Sequence, residues 1–152
     1  MDKVEIVKLT SHDLDAFIDL VKVFEDVFEM QNFVMPSREH LQKLLSKPDF
    51  FVFVALKDRE VVGGLTTYTL HQYYATTPLL YIYDLAVKTD FQRQGIGKKL
   101  IATVLSFGKS IGMEEVFVQA DKVDDYALDF YRSTGAIEED VSHFYYPLLK
   151  NN

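Results

Sequence analysis

The 152-residue chain contains no cysteine. Disulfides, thiolate metal sites and a cysteine nucleophile are therefore excluded, and the absence suits a cytoplasmic protein. An excess of basic residues is also missing: 16 Lys and Arg stand against 23 Asp and Glu, a formal net charge of −7. The basic residues are scattered rather than gathered into a patch, so nucleic acid is a poor partner. Charged or amide side chains interrupt the hydrophobic residues every few positions, well short of the roughly 18 apolar residues of a membrane span. The start, Met1-Asp2-Lys3-Val4-Glu5, has no basic stretch followed by an apolar one, and no secretion signal is expected there. Low-complexity tracts, repeats and linkers are likewise lacking.

What is present is 48% hydrophobic and 26% charged residues, the balance of a soluble globular protein. The length suits one core, so a single domain spanning 1–152 is expected. An acidic surface concentrates cationic small molecules, which makes such a ligand a better candidate than a polyanion.

Val4 to Leu9 alternates apolar and polar residues and reads as a half-buried strand. Ser11 is expected to cap a helix, with Asp13 and Asp15 in its positive first turn and Leu14, Phe17, Ile18, Val21, Phe24 and Phe28 on its apolar face. Pro36-Ser37 opens a shorter helix carrying Leu41, Leu44 and Leu45 that ends before Pro48. Phe50–Leu56 and Val61–Leu70 form a hairpin around Lys57-Asp58-Arg59-Glu60, and Leu79–Val87 is a further strand. A helix from Gly95 to Ile111 turns Ile96, Leu100, Ile101, Val104 and Leu105 inward and stops at Gly112. Val116–Ala120, Asp124–Ser133 and Ser142–Leu148 follow as strand, helix and final strand. The order β-α-α-β-β-β-α-β-α-β describes a mixed α+β domain whose hairpin-built half precedes a β-α-β-α-β half.

The most informative segment runs from Leu85 to Leu100. A strand ends, a polar loop follows, and Gln92-Arg93-Gln94-Gly95-Ile96-Gly97 enters a helix. Amides at a helix start point one way and carry partial positive charge, which suits a pyrophosphate. Glycine lets the backbone approach the oxygens, and Arg93 adds charge nearby. The same glycines would serve a plain strand-to-helix turn. A Walker loop is excluded because no Gly-Lys-Ser/Thr follows, and the three-glycine Rossmann spacing is absent.

Gln92-x-x-Gly95-x-Gly97 resembles the Q/R-x-x-G-x-G/A motif of GNAT acetyltransferases, and it follows the strand Tyr81–Val87 as in that superfamily. Ala127-Leu128-Asp129-Phe130-Tyr131-Arg132-Ser133-Thr134-Gly135-Ala136 is similar to the A-x-x-F-Y-x-x-x-G-F segment of the same proteins. The resemblance implies a GNAT (acyl-CoA N-acyltransferase) fold, an α+β architecture with a mixed, mostly antiparallel sheet flanked by helices. It also implies acetyl-CoA as cofactor. The pantetheine arm would pair with the backbone of Leu85, Ala86 and Val87, and the pyrophosphate with the amides of Gln92, Arg93, Gln94, Gly95, Ile96, Gly97 and Lys98. Tyr131 matches the tyrosine that protonates the leaving sulfur, although Phe130 and Tyr131 would equally well pack a helix against a sheet. Asp124 stands where many members carry a cofactor-binding asparagine.

Within the superfamily, Tyr81 to Phe144 looks most like the type I aminoglycoside 3-N-acetyltransferases, the gentamicin-resistance group. The matching residues are Tyr81–Val87, Arg93–Ile96, Val118–Asp121, Asp124-Asp125, Ala127, Tyr131, Glu138-Glu139 and His143-Phe144. Tyr126 and Gly97 depart from a usual proline and alanine. The acceptor implied is a polycation, bound by Asp84, Asp121, Asp124, Asp125, Glu139 and His143. Asp84 stands out, because a carboxylate on an apolar strand is costly unless paired. The general base is left open among Asp84, Asp121, Glu139 and His143, while Asp124 or Asp125 is also suited to cap a helix. Gln72-Tyr73-Tyr74 is a candidate cover for the acceptor. No histidine pair resembles a metal site. The Phe144-Tyr145-Tyr146 run of the last strand suits the homodimer common in such folds.

Overall fold

The computed structural model describes residues 3–149. The elements are β1 (Val4–Lys8), α1 (Leu14–Val27), α2 (Arg38–Leu45), β2 (Phe50–Lys57), β3 (Glu60–Leu70), β4 (Leu79–Val87), a 3-10 turn (Thr89–Phe91), α3 (Ile96–Ser110), β5 (Glu115–Val118) and α4 (Asp125–Ser133). They fall into two compact units, one up to Gln119 and one from Ala120 onward.

The first unit is built on a five-stranded sheet in the order β1-β2-β3-β4-β5. Every pairing is antiparallel except β4 with β5, which is parallel. The β2–β3 hairpin closes through Asp58 and Arg59, both at positive φ (50° and 66°), as a tight two-residue connection requires. On one face, Phe17, Leu20, Val23 and Phe24 of α1 and Leu41 and Leu45 of α2 join Phe50, Val52, Val54 and Ala86 in a single buried cluster. Gly64 lets α1 approach: a Cβ there would lie 2.4 Å from the Phe53 carbonyl oxygen and 2.7 Å from Leu20. On α3, Ile96, Leu100, Ile101 and Val104 are buried as expected, whereas Leu105 is exposed.

Three further local expectations change. Ser11 does not cap α1. The N-cap is Asp13, whose carboxylate accepts from the Thr10 backbone N–H at 2.7 Å and so closes the preceding turn instead. β5 ends at Val118, which leaves Asp121 in the following loop rather than at a strand end. Ser142–Leu148 is not a strand. Among the described residues of its own unit the only regular element is α4, so the apolar alternation has no strand there to pair with, and Pro147 lacks an N–H to donate.

Candidate active site

β4 changes character halfway along. Leu79 to Ile82 pair with Glu115 to Val118 of β5 on one side and with β3 on the other. From Tyr83 to Val87 the β3 side continues, but β5 has ended, so that edge of the strand has no neighbour in the sheet. Along Leu85, Ala86 and Val87 that edge is open to an extended amide-bearing ligand, apart from the Val87 carbonyl, which a side chain of the following loop occupies.

At the end of β4 the loop turns back tightly. Gln92 Nε2 donates to the Val87 carbonyl at 2.9 Å, tying loop to strand. Arg93 (φ 62°) and Gly95 (φ 82°) both lie in the left-handed region, and Gly95 is the N-cap of α3. The helical ladder begins with Lys99 N–H on the Gly95 carbonyl at 3.0 Å. Among the described residues, the N–H groups of Gly95, Ile96, Gly97 and Lys98 have no backbone acceptor. A Cβ on Gly95 would meet no atom within 4 Å, so the space before those amides is open. Open, aligned donors at the positive end of a 15-residue helix fit a pyrophosphate.

Asp84 owes its setting to a β-bulge. Thr66 pairs with Asp84 but Thr67 pairs with Ile82, which leaves Tyr83 as the extra residue. The bulge reverses the alternation. Ile82 is buried on the α3 side, while Asp84 lies on the face of Ala86, where α1 and α2 pack. The carboxylate is half-buried and has no hydrogen bond or ion pair among the described residues. Burial holds its carboxyl above the ordinary carboxylate range. Beside it, rings run across four strands: Phe50 against Tyr68 (5.0 Å), Tyr68 against Tyr83 (5.5 Å), Tyr83 against Tyr81 (6.0 Å) and Tyr81 stacked on Phe117 (4.7 Å). Sequence reasoning missed this array, whose one visible signal was tyrosine at alternate positions of β4.

The β3–β4 loop carries Gln72-Tyr73-Tyr74. Gln72 Nε2 bonds the Thr77 carbonyl at 2.7 Å, and the two tyrosine rings meet edge-on at 4.9 Å. Tyr73 is 97% exposed, so these rings do not cover the core.

In the second unit Asp124 caps α4, accepting from Ala127 N–H at 3.0 Å, with Asp125 in the first turn. Asp121 offers its backbone carbonyl to Asp124 N–H at 3.0 Å, and its side chain is exposed. Tyr131 is half-buried on α4, its ring 5.0 Å from that of Phe130. Glu139 and His143 are exposed on the irregular segment, where His143 stacks on Tyr145 at 5.8 Å. Glu138, its neighbour in the resemblance, is held by Arg132 at 2.7 and 3.1 Å and serves the structure. Among the described residues no group of His, Asp or Glu could hold a metal ion, and no helix is long and apolar enough to cross a membrane.

The sequence profile of the acetyltransferase (GNAT) family matches residues 17–136. The chain belongs to the GNAT acetyltransferase family. The five-stranded mixed sheet and its helices are thus a GNAT fold, and acetyltransferases of this family draw on acetyl-CoA. An aminoglycoside acetyltransferase from an uncultured soil metagenomic sample, solved with trehalose, is 61% identical with a TM-score of 0.95, over 96% of this chain and 97% of its own. The same enzyme was also solved with sisomicin, at 60% identity. A second soil metagenomic aminoglycoside acetyltransferase is 29% identical with a TM-score of 0.90, over 97% of this chain and 99% of its own. Human N-acetyltransferase 8 is 29% identical over 66% of this chain and 44% of its own length. The chain spans less than half of the N-acetyltransferases of this kind that it matches, including the camello protein of Xenopus laevis at 45%.

Proposed function

We propose that this GNAT chain transfers the acetyl group of acetyl-CoA to an aminoglycoside, at its 3-amino group, and confers resistance from the cytoplasm. The observation that carries the reading is the 61% identity to a soil aminoglycoside acetyltransferase over 96% of the chain. The unpartnered carboxylate of Asp84, beside the free edge of β4, supports it independently. The family match crosses the division at Gln119, which supports reading both units as one acetyltransferase module.

Acetyl-CoA supplies an activated thioester. The backbone of Leu85, Ala86 and Val87 would take the amides of its arm, and the loop from Gln92 to Lys98 its pyrophosphate, with the Arg93 side chain adding charge. Asp84 binds the acceptor ammonium and takes its proton, directly or through water. Its upward-shifted carboxyl suits that exchange, because proton transfer is most efficient when donor and acceptor pKa values approach each other. Asp121, Glu139 and His143 remain as alternative bases. Tyr131 donates to the departing sulfur; a phenol is a neutral donor and needs no charged partner for the task. Together with Asp124 and Asp125, the exposed carboxylates attract a polycation.

The test is coenzyme A release, followed with a thiol reagent, with sisomicin, gentamicin, spermidine and a lysine peptide offered separately. Turnover confined to the aminoglycosides, with mass-spectrometric and NMR assignment of the acetyl group to the 3-amine, is the expected result. Acetylation at another amine would overturn the position but not the activity. Turnover of spermidine or the peptide alone would reassign the acceptor. Acetyl-CoA binding with no turnover would make the chain a sensor.

We also propose a homodimer through the irregular C-terminal segment. Phe144, Tyr146 and Leu148 are 83%, 88% and 91% exposed, an apolar display that monomeric proteins seldom leave open. A second copy would supply the strand neighbour that the Ser142–Leu148 alternation lacks. Sedimentation should give a dimer at micromolar concentration, and a monomer there would sink the idea.

A further inference from the structure

We infer that Tyr68 and Tyr83 select the acceptor, their phenols hydrogen-bonding the hydroxyls of the amino-sugar ring whose ammonium Asp84 holds. This rests on the aminoglycoside reading above and gives its site a specificity device.

Five features carry it, all within the first unit. The bulge at Tyr83 and the register Tyr68↔Tyr81 put three tyrosines and Asp84 on the same face of the sheet. Tyr83 is 57% exposed and meets Tyr68 and Tyr81 edge-on (85° and 82°), so it stands at the centre of the array. The Tyr81 hydroxyl is already engaged, donating to Gln119 Oε1 at 2.9 Å. Those of Tyr68 and Tyr83 have no hydrogen bond among the described residues. Burial first, then the Tyr83 phenol and the Asp84 carboxylate, push the Tyr68 hydroxyl up, in keeping with Tyr68 lying near both.

A hydrophobic wall would have served as well for packing with phenylalanine at 68 and 83. Two uncommitted phenols around an uncommitted carboxylate present instead a donor–acceptor pattern with a single negative charge. An ammonium flanked by hydroxyls satisfies all three groups at once; a plain alkylammonium leaves both phenols without partners. A site built to hydrogen-bond a hydroxyl discriminates strongly against a ligand that lacks it.

The experiment is steady-state kinetics of the full chain and of Tyr68→Phe, Tyr83→Phe and Tyr83→Leu, with sisomicin and acetyl-CoA varied in turn. The phenylalanine variants keep the ring contacts and remove only the hydroxyl. We expect each to raise the sisomicin KM by roughly 5- to 30-fold, with kcat and the acetyl-CoA KM within about twofold, as the loss of one ligand hydrogen bond implies. Tyr83→Leu should be no milder than Tyr83→Phe. An unchanged sisomicin KM in both phenylalanine variants overturns the inference while leaving the proposed function intact. A parental chain that acetylates no aminoglycoside overturns the function and this inference with it. A fall in kcat and a rise in both KM values would show a structural role and overturn it equally.

Discussion

The two halves of β4 are one strand with two occupations. From Leu79 to Ile82 the backbone is paired on both sides, and Leu80 and Ile82 are among the most buried side chains of the chain. From Tyr83 to Val87 one edge loses its neighbour, a bulge breaks the alternation, and a carboxylate turns onto the face where Ala86 meets the helices. The first half spends its hydrogen bonds on the fold. The second leaves one edge open, and it can do so because β3 still fixes its position from the other side. Rigid support on one side and free polar groups on the other is how a sheet holds a reactive geometry without closing over it.

That contrast breaks most sharply at Asp84. Asp84→Asn keeps the size of the side chain and removes its charge and basicity. Aminoglycoside turnover, measured as kcat/KM, should fall by at least about 100-fold, the usual range for a lost acid–base group, while acetyl-CoA binding stays near parental. Turnover at the parental rate would move the acceptor site off β4.

The complementary change lies just beyond the strand. Gly95→Asp sets a negative charge before the free amides of α3, where a Cβ meets nothing and a left-handed φ is tolerated by aspartate better than by most residues. Acetyl-CoA KM should rise roughly 10- to 100-fold through loss of charge-assisted hydrogen bonds, with the folded chain retained by circular dichroism. If Gly95→Asp leaves that KM alone, the amides do not hold the pyrophosphate. The pair of variants separates donor from acceptor, since each should spare what the other damages.

Sequence reading reached the paired elements and the loop far better than the bulge. The hairpin turn and, Leu105 apart, the inward face of α3 follow from local rules that act over a few residues, and the structure keeps them. Asp84 was visible as a charge on an apolar strand. Its neighbours were not, because simple alternation sets Asp84 on the face of Ile82, and only the pairing shift at Thr66/Thr67 places it among Tyr68, Tyr81 and Tyr83. The expected strand at Ser142–Leu148 failed for a related reason. Alternation states which side chains could share a face, but a strand also needs a partner, and the pattern cannot say where that partner is. Asp13 was misassigned to the first turn because Ser11 offers equally good capping chemistry. The structure gives the cap position to Asp13 itself and sets its carboxylate on Thr10.

The smallest expected effect separates function from stability at the same residue. Asp84 titrates higher in the folded chain than an ordinary carboxylate because burial disfavours its charge and nothing compensates. A group with a raised folded value binds its proton more tightly in the native state. Its contribution to stability is therefore full below the unfolded value, about 3.9 for an aspartate, and is lost as pH rises through the folded one. At neutral pH the ionised Asp84 should weaken the fold, and Asp84→Asn should raise Tm. The carboxylate is only half-buried, so the gain should be modest, on the order of 1–3 °C. Calorimetry of both proteins at a series of pH values should show the gap at pH 7 shrinking toward zero as pH falls through the carboxylate range. A parental chain more stable than the variant at pH 7 would mean that a cation or hydrogen bond already satisfies Asp84. The carboxylate would then belong to the paired, structural half of β4 and have nothing left to offer an acceptor.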